Sequence, residues 1–91
     1  MVIWDNEKYL KLSIERNIRL DEIEKIILKK EYIEIIKNKN YPNQFTFIIL
    51  YNNYIHAVPF LMDSNKNIII KTVFPSRKLN KLYANKKNKK N

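Results

Sequence analysis

Glycine is absent from this 91-residue chain, cysteine is absent, and histidine occurs once. Without glycine there are no phosphate-cradling loops, no dinucleotide-binding fingerprint and no glycine-flanked nucleophilic serine, because each needs close backbone approach or φ > 0. Without cysteine and with one imidazole, zinc fingers, thiol catalysis, disulfide scaffolds and paired-histidine metal sites drop out. No metal and no cofactor is therefore expected, and any hydrolytic chemistry is expected to be metal-free. Long apolar runs are missing too. The longest uncharged apolar stretch, Ala57 to Met62, is far too short to span a bilayer, and Asp5 and Glu7 stand where a signal peptide would be basic. A cytoplasmic location is expected. A chain of this length makes one small domain that buries only ~60–65% of its unfolded surface, which leaves room for a stabilising partner.

What the chain does have is positive charge, unevenly placed. Eighteen Lys and Arg residues face nine Asp and Glu, a formal net charge of +9. Residues 1–63 carry nine of each sign, whereas residues 64–91 carry nine basic residues and no acidic one. Lys, Asn and Ile supply 43 of the 91 residues, a bias that AT-rich coding DNA would produce, but such a bias spreads lysine evenly and does not explain the asymmetry. Lys86, Lys87, Lys89 and Lys90 fall in a segment, 84–91, with no apolar pattern, which reads as a disordered basic tail. Lys66, Lys71, Arg77, Lys78 and Lys81 fall inside patterned sequence, 1–83, read as a single domain. A one-signed surface of this kind points to a polyanion, nucleic acid before an acidic protein or anionic lipid.

Val2 to Trp4 is a short apolar opening, Asp5 is a helix cap, and Leu10, Ile14 and Ile18 recur at four-residue spacing. That predicts a first helix ending near Asn17. A second follows with Asp21 as cap, Glu24 three residues on, and Leu20, Ile23, Ile26 and Ile27 as its apolar stripe, ending by Lys29 or Lys30. From Tyr32 to Lys37 the period changes to two. Gln44 to Tyr51 and Tyr54 to Met62 flank Asn52-Asn53, the signature of a tight hairpin, because Asn tolerates the φ > 0 values of a type I′ turn. Asn67 to Phe74 reads as the last strand, stopped by Pro75, after which Ser76 caps a final helix to about Tyr83.

Closing the first hairpin pairs Tyr51 with Tyr54, Ile49 with His56 and Phe47 with Val58. Pairing Met62 with Asn67 in the second sets His56 opposite Val73 and Val58 opposite Lys71. On that register one sheet face carries Ile48, Leu50, Ile55, Leu61, Ile68, Ile70 and Phe74 and packs on the two N-terminal helices. The other face stays open, with Phe45, Phe47, Tyr51, Tyr54, His56, Val58 and Lys71 beside a helix bearing Arg77, Lys78 and Lys81. This open face is the candidate site.

Three segments, Trp4-Asp5-x-x-Lys8, Arg16-Asn17-Ile18-x-Leu20-Asp21-Glu22 and Lys71-Thr72-Val73-Phe74-Pro75-Ser76-Arg77-Lys78, resemble BrnT-type toxins of bacterial type II toxin–antitoxin pairs. The segments cover about a third of the chain, and Asn17 and Lys71 stand where that family has glycine and arginine. The resemblance implies a RelE-like α+β fold: two N-terminal helices on an antiparallel sheet of about four strands, with a C-terminal basic helix. It also implies a metal-independent endoribonuclease (mRNA interferase) that cleaves mRNA, free or on the ribosome, and inhibits translation and growth. Its partner would be an acidic antitoxin with a ribbon-helix-helix or helix-turn-helix part, in a hetero-oligomer. A second resemblance, to a double-stranded-RNA-binding domain, implies a non-catalytic module whose basic helix start at Ser76-Arg77-Lys78 touches phosphates.

Metal-free cleavage needs a 2′-OH to attack the adjacent phosphate, with one proton removed, one donated and the oxyanion charge offset. Arg77 and Lys71 are the expected phosphate clamp, and His56 is the side chain suited by type to move a proton, although a lone strand histidine is more often structural. Lys78 and Lys81, spaced i, i+3 on one helical face, are assigned to the RNA backbone. Tyr83 is a proton donor, a stacking ring or a packing residue, and Arg16 an RNA contact or a neutraliser of its own helix end.

Overall fold

The computed structural model describes residues 2–4 and 18–83. In chain order these form β1 (Val2–Trp4), α1 (Leu20–Leu28), β2 (Glu34–Lys37), β3 (Gln44–Tyr51), β4 (Tyr54–Met62), β5 (Ile68–Ile70), β6 (Phe74–Pro75) and α2 (Arg77–Leu82). The architecture is α+β. The strands form one mixed sheet in the order β1-β5-β4-β3-β2, with β6 also paired to β4. The sheet is thus mixed rather than wholly antiparallel, and among the described residues it has six strands where about four are expected. The apolar opening is itself a strand, β1, and it runs parallel to β5. The expected first helix lies outside the described residues, as do Arg16 and the basic tail.

The β3–β4 hairpin follows the predicted register: Tyr51 faces Tyr54, Ile49 faces His56 and Phe47 faces Val58. Asn52 and Asn53 take φ of 51° and 60°, as a two-residue turn in a glycine-free chain requires. The second hairpin does not follow it. Met62 pairs with Ile68 rather than Asn67, because the Asp63 side chain holds a loop one residue longer. Its carboxylate accepts from the Asn65 and Asn67 backbone N–H groups at 2.9 and 2.8 Å and from Asn67 Nδ2 at 3.1 Å. These bonds hold the Asp63 carboxyl below its usual pKa. A one-residue slip moves every side chain of the following strand to the opposite face. Lys71, whose N–H donates to the Pro59 carbonyl, lies opposite Pro59 rather than Val58 and on the other side of the sheet from His56.

A second irregularity follows at once. Lys71 is opposite Pro59 and Phe74 is opposite Ala57, so Thr72 and Val73 together oppose Val58 alone. This is a β-bulge. It splits the expected strand 67–74 into β5 and β6 and turns Val73 into the core, where it is 1% exposed.

The face expected to stay open is also covered. α1 packs Ile23 and Ile27 onto Phe47, Ile49, Tyr51, Val58, Phe60 and Ile70, the side read from sequence as open. Both faces are apolar, so alternation alone does not select between them. On the α1 side Phe47 and Phe60 stack at 4.2 Å, Phe45 and Phe60 at 5.4 Å, and Tyr32 meets Phe47 at 4.8 Å, while Ile48, Ile55 and Ala57 are buried on the opposite side. α1 starts one residue before the expected Asp21 cap. Arg19 is its N-cap, with no side-chain cap, and the Arg19 N–H donates instead to the Tyr51 hydroxyl at 2.9 Å. No helix among the described residues is long and apolar enough to cross a membrane.

Candidate nucleic-acid interface

α2 is anchored at both ends. Ser76 caps it, its Oγ accepting from the Leu79 N–H at 3.2 Å, and the Ser76 N–H donates to the Ile55 carbonyl at 3.0 Å. From the first full turn, Asn80 Oδ1 accepts from the Ile55 N–H at 3.1 Å. At the far end the Tyr83 hydroxyl donates to Glu34 Oε2. Glu34 pairs with Ile48 and so shares its face, as does Ile55 through Leu50. α2 therefore crosses from β4 over β3 to the edge strand β2, on the sheet side opposite α1.

With Leu79 and Asn80 turned inward, Arg77, Lys78 and Lys81 are left exposed. α2 contains no acidic residue, whereas α1 mixes Asp21, Glu22 and Glu24 with Lys25. Arg77 and Lys78 sit in the first turn, where the helix dipole disfavours cations, so local helix energetics do not explain them. Lys71 is exposed and on this same side, moved there by the register slip. Four of the expected site residues, Lys71, Arg77, Lys78 and Lys81, thus share one surface, and Tyr83 closes its edge.

His56 is not part of it. The imidazole lies on the α1 side and is 6% exposed. Its Nδ1 is 2.9 Å from the Tyr54 carbonyl and it meets the Tyr51 and Tyr54 rings edge-on at 5.4 and 6.2 Å. A phosphate on the α2 side has the sheet between itself and this ring, so the expectation of a proton shuttle on an open face is corrected: His56 is a core residue.

Glu34 carries no mark in the sequence. It is the carboxylate set against α2, 49 residues from Tyr83 in the chain, a separation that no local pattern reports. The bond, with lesser contributions from burial and the carboxylate charge, raises the Tyr83 phenol to about 12. Tyr83 is therefore a neutral hydrogen-bond donor throughout the physiological range. No family model, no curated protein and no solved structure matches this chain.

Proposed function

We propose that this chain is an RNA-directed toxin of BrnT type with a RelE-like arrangement, a metal-independent endoribonuclease that cleaves mRNA in the cytoplasm. The observation that carries the reading is the α2 surface. Arg77, Lys78 and Lys81 are exposed with no acid among them, on a helix fixed to the sheet by side-chain and backbone bonds, with Lys71 on the same side.

On this reading Lys78 and Lys81 hold the RNA backbone, while Arg77 and Lys71 grip the reacting phosphate and offset the charge that grows on its non-bridging oxygens. The buried imidazole takes no part, and the Glu34–Tyr83 pair, at the β2 edge and three strands from Lys71, holds the end of α2 in place. An acidic antitoxin with its own DNA-binding part neutralises the toxin by covering the cationic side.

Expression of the chain alone tests this. Primer extension on total RNA should show new 5′ ends, and cleavage by the purified protein should persist in EDTA. A strict Mg²⁺ requirement in the chemical step overturns the mechanism. Intact transcripts combined with tight, length-dependent duplex binding leave the non-catalytic double-stranded-RNA module.

A further inference from the structure

Phe74 is a large aromatic side chain at the surface, set there by the bulge that precedes it. In an unbroken strand continuing from Lys71 opposite Pro59, Phe74 would fall opposite His56 on the core side and Val73 would face outward. The bulge at Thr72-Val73 reverses this, so that Val73 is 1% exposed and Phe74, the larger side chain, is 36% exposed. Pro75, which takes the position opposite His56, is itself exposed, so the bulge buries Val73 without costing the ring a buried place. Bulges of this kind re-aim single side chains, often beside functional sites.

The aim is specific. Phe74 pairs with Ala57, and Lys71 lies opposite Pro59, two residues along β4 on the same face, a separation of about 7 Å. Arg77 follows three residues after Phe74, past Pro75, which pairs with His56, and Ser76, which is bonded to Ile55. The ring is thus held by backbone pairing on both sides, with a cation on either flank. Exposed aromatics flanked by cations are the elements from which single-stranded nucleic acid sites are built, because every unpaired base offers a π-face and every nucleotide a phosphate.

We propose that Phe74 is a stacking platform for an unpaired base, with Lys71 and Arg77 holding the phosphates beside it, so that the ligand is single-stranded RNA. The assignment rests on the RNA reading above and narrows it: a base paired in a duplex has no face to offer, so Phe74 selects single strands.

Binding of fluorescein-labelled oligoribonucleotides to the full chain, by anisotropy, tests this. Phe74→Ala should weaken binding of a single-stranded oligomer about 5- to 150-fold while leaving the salt dependence unchanged, since no phosphate contact is lost. Phe74→Tyr should restore most of the affinity. On an oligomer made abasic at every position, the wild type and Phe74→Ala should bind alike. Equal losses on intact and abasic strands overturn the platform, as does an unchanged affinity of Phe74→Ala for the intact strand. Thermal melts establish that the variants fold, which the exposure of the ring favours. Failure of the broader RNA reading looks different: the Arg77→Ala/Lys78→Ala/Lys81→Ala variant would then bind as the wild type does.

Discussion

The end of α1 shows how a glycine-free chain meets a demand that glycine normally meets. Lys30, at φ 57°, ends α1 in the left-handed region. Its N–H donates to Ile27 and the Glu31 N–H to Ile26, the paired bonds of a Schellman motif with lysine in the glycine position. A β-carbon there costs ~1–2 kcal/mol, partly offset by the smaller entropy lysine loses on folding. Lys30→Gly should therefore stabilise the protein by ~0.5–1 kcal/mol in urea unfolding. Tyr83 gives a pH signature. Its folded-state pKa of about 12 lies above the ordinary 10, so the Glu34 contact contributes fully below pH ~10 and is lost as pH rises through about 12. The wild type should lose up to ~1 kcal/mol more than Tyr83→Phe across that window, a small effect because the pair is open to water. Equal losses in urea titrations of the two proteins at pH 9 and pH 11.5 would show that the contact does not hold α2.

At the scale of elements, what is local was legible and what depends on a loop's own hydrogen bonds was not. The Asn52-Asn53 turn set the β3–β4 register, and Ser76 marked the start of α2. The second hairpin was off by one residue because an aspartate that accepts three N–H bonds looks, in sequence, like any polar turn residue. That single step carried Lys71 to the α2 side and away from His56. The face under α1 is illegible for a different reason: β3 and β4 are apolar and buried on both sides, so alternation does not choose between them. The site was legible in its cations, which charge asymmetry marks, and illegible in Glu34 and Phe74, placed by long-range pairing and by a bulge. The cap itself is testable. Ser76→Ala removes the bond to the Leu79 N–H and should cost ~1 kcal/mol in global stability. Weaker RNA binding should accompany it, since Arg77 and Lys78 ride on the turn it fixes. A loss of stability with RNA affinity untouched would detach the helix from the interface.

For the whole molecule the question is whether the +9 charge acts as a local surface or as a diffuse cloud, since a strongly basic protein attracts RNA either way. Counterion release distinguishes the two. Each lysine or arginine that neutralises a phosphate of a single strand adds about 0.7 to the steepness of log K against log salt. Replacing Arg77, Lys78 and Lys81 together by alanine should therefore flatten the slope by about 2. It should also abolish detectable cleavage, because Arg77 is assigned to the reacting phosphate, where loss of one charge stabiliser costs roughly 10²-fold or more in rate. Lys25, Lys29 and Lys39 supply the control. They are exposed, they lie on α1, its end and the β2–β3 loop, and their removal takes away the same three charges. That triple variant should bind with a slope within about 0.5 of the wild type and cleave at an undiminished single-turnover rate, because long-range attraction is screened beyond ~8–10 Å near physiological salt. Anisotropy titrations of both variants between 50 and 300 mM KCl, with melting curves beside them, decide the matter. Equal flattening in the two would mean that the α2 surface is no more an RNA site than the rest of the cationic exterior, and Arg77 would lose its assigned place at the phosphate.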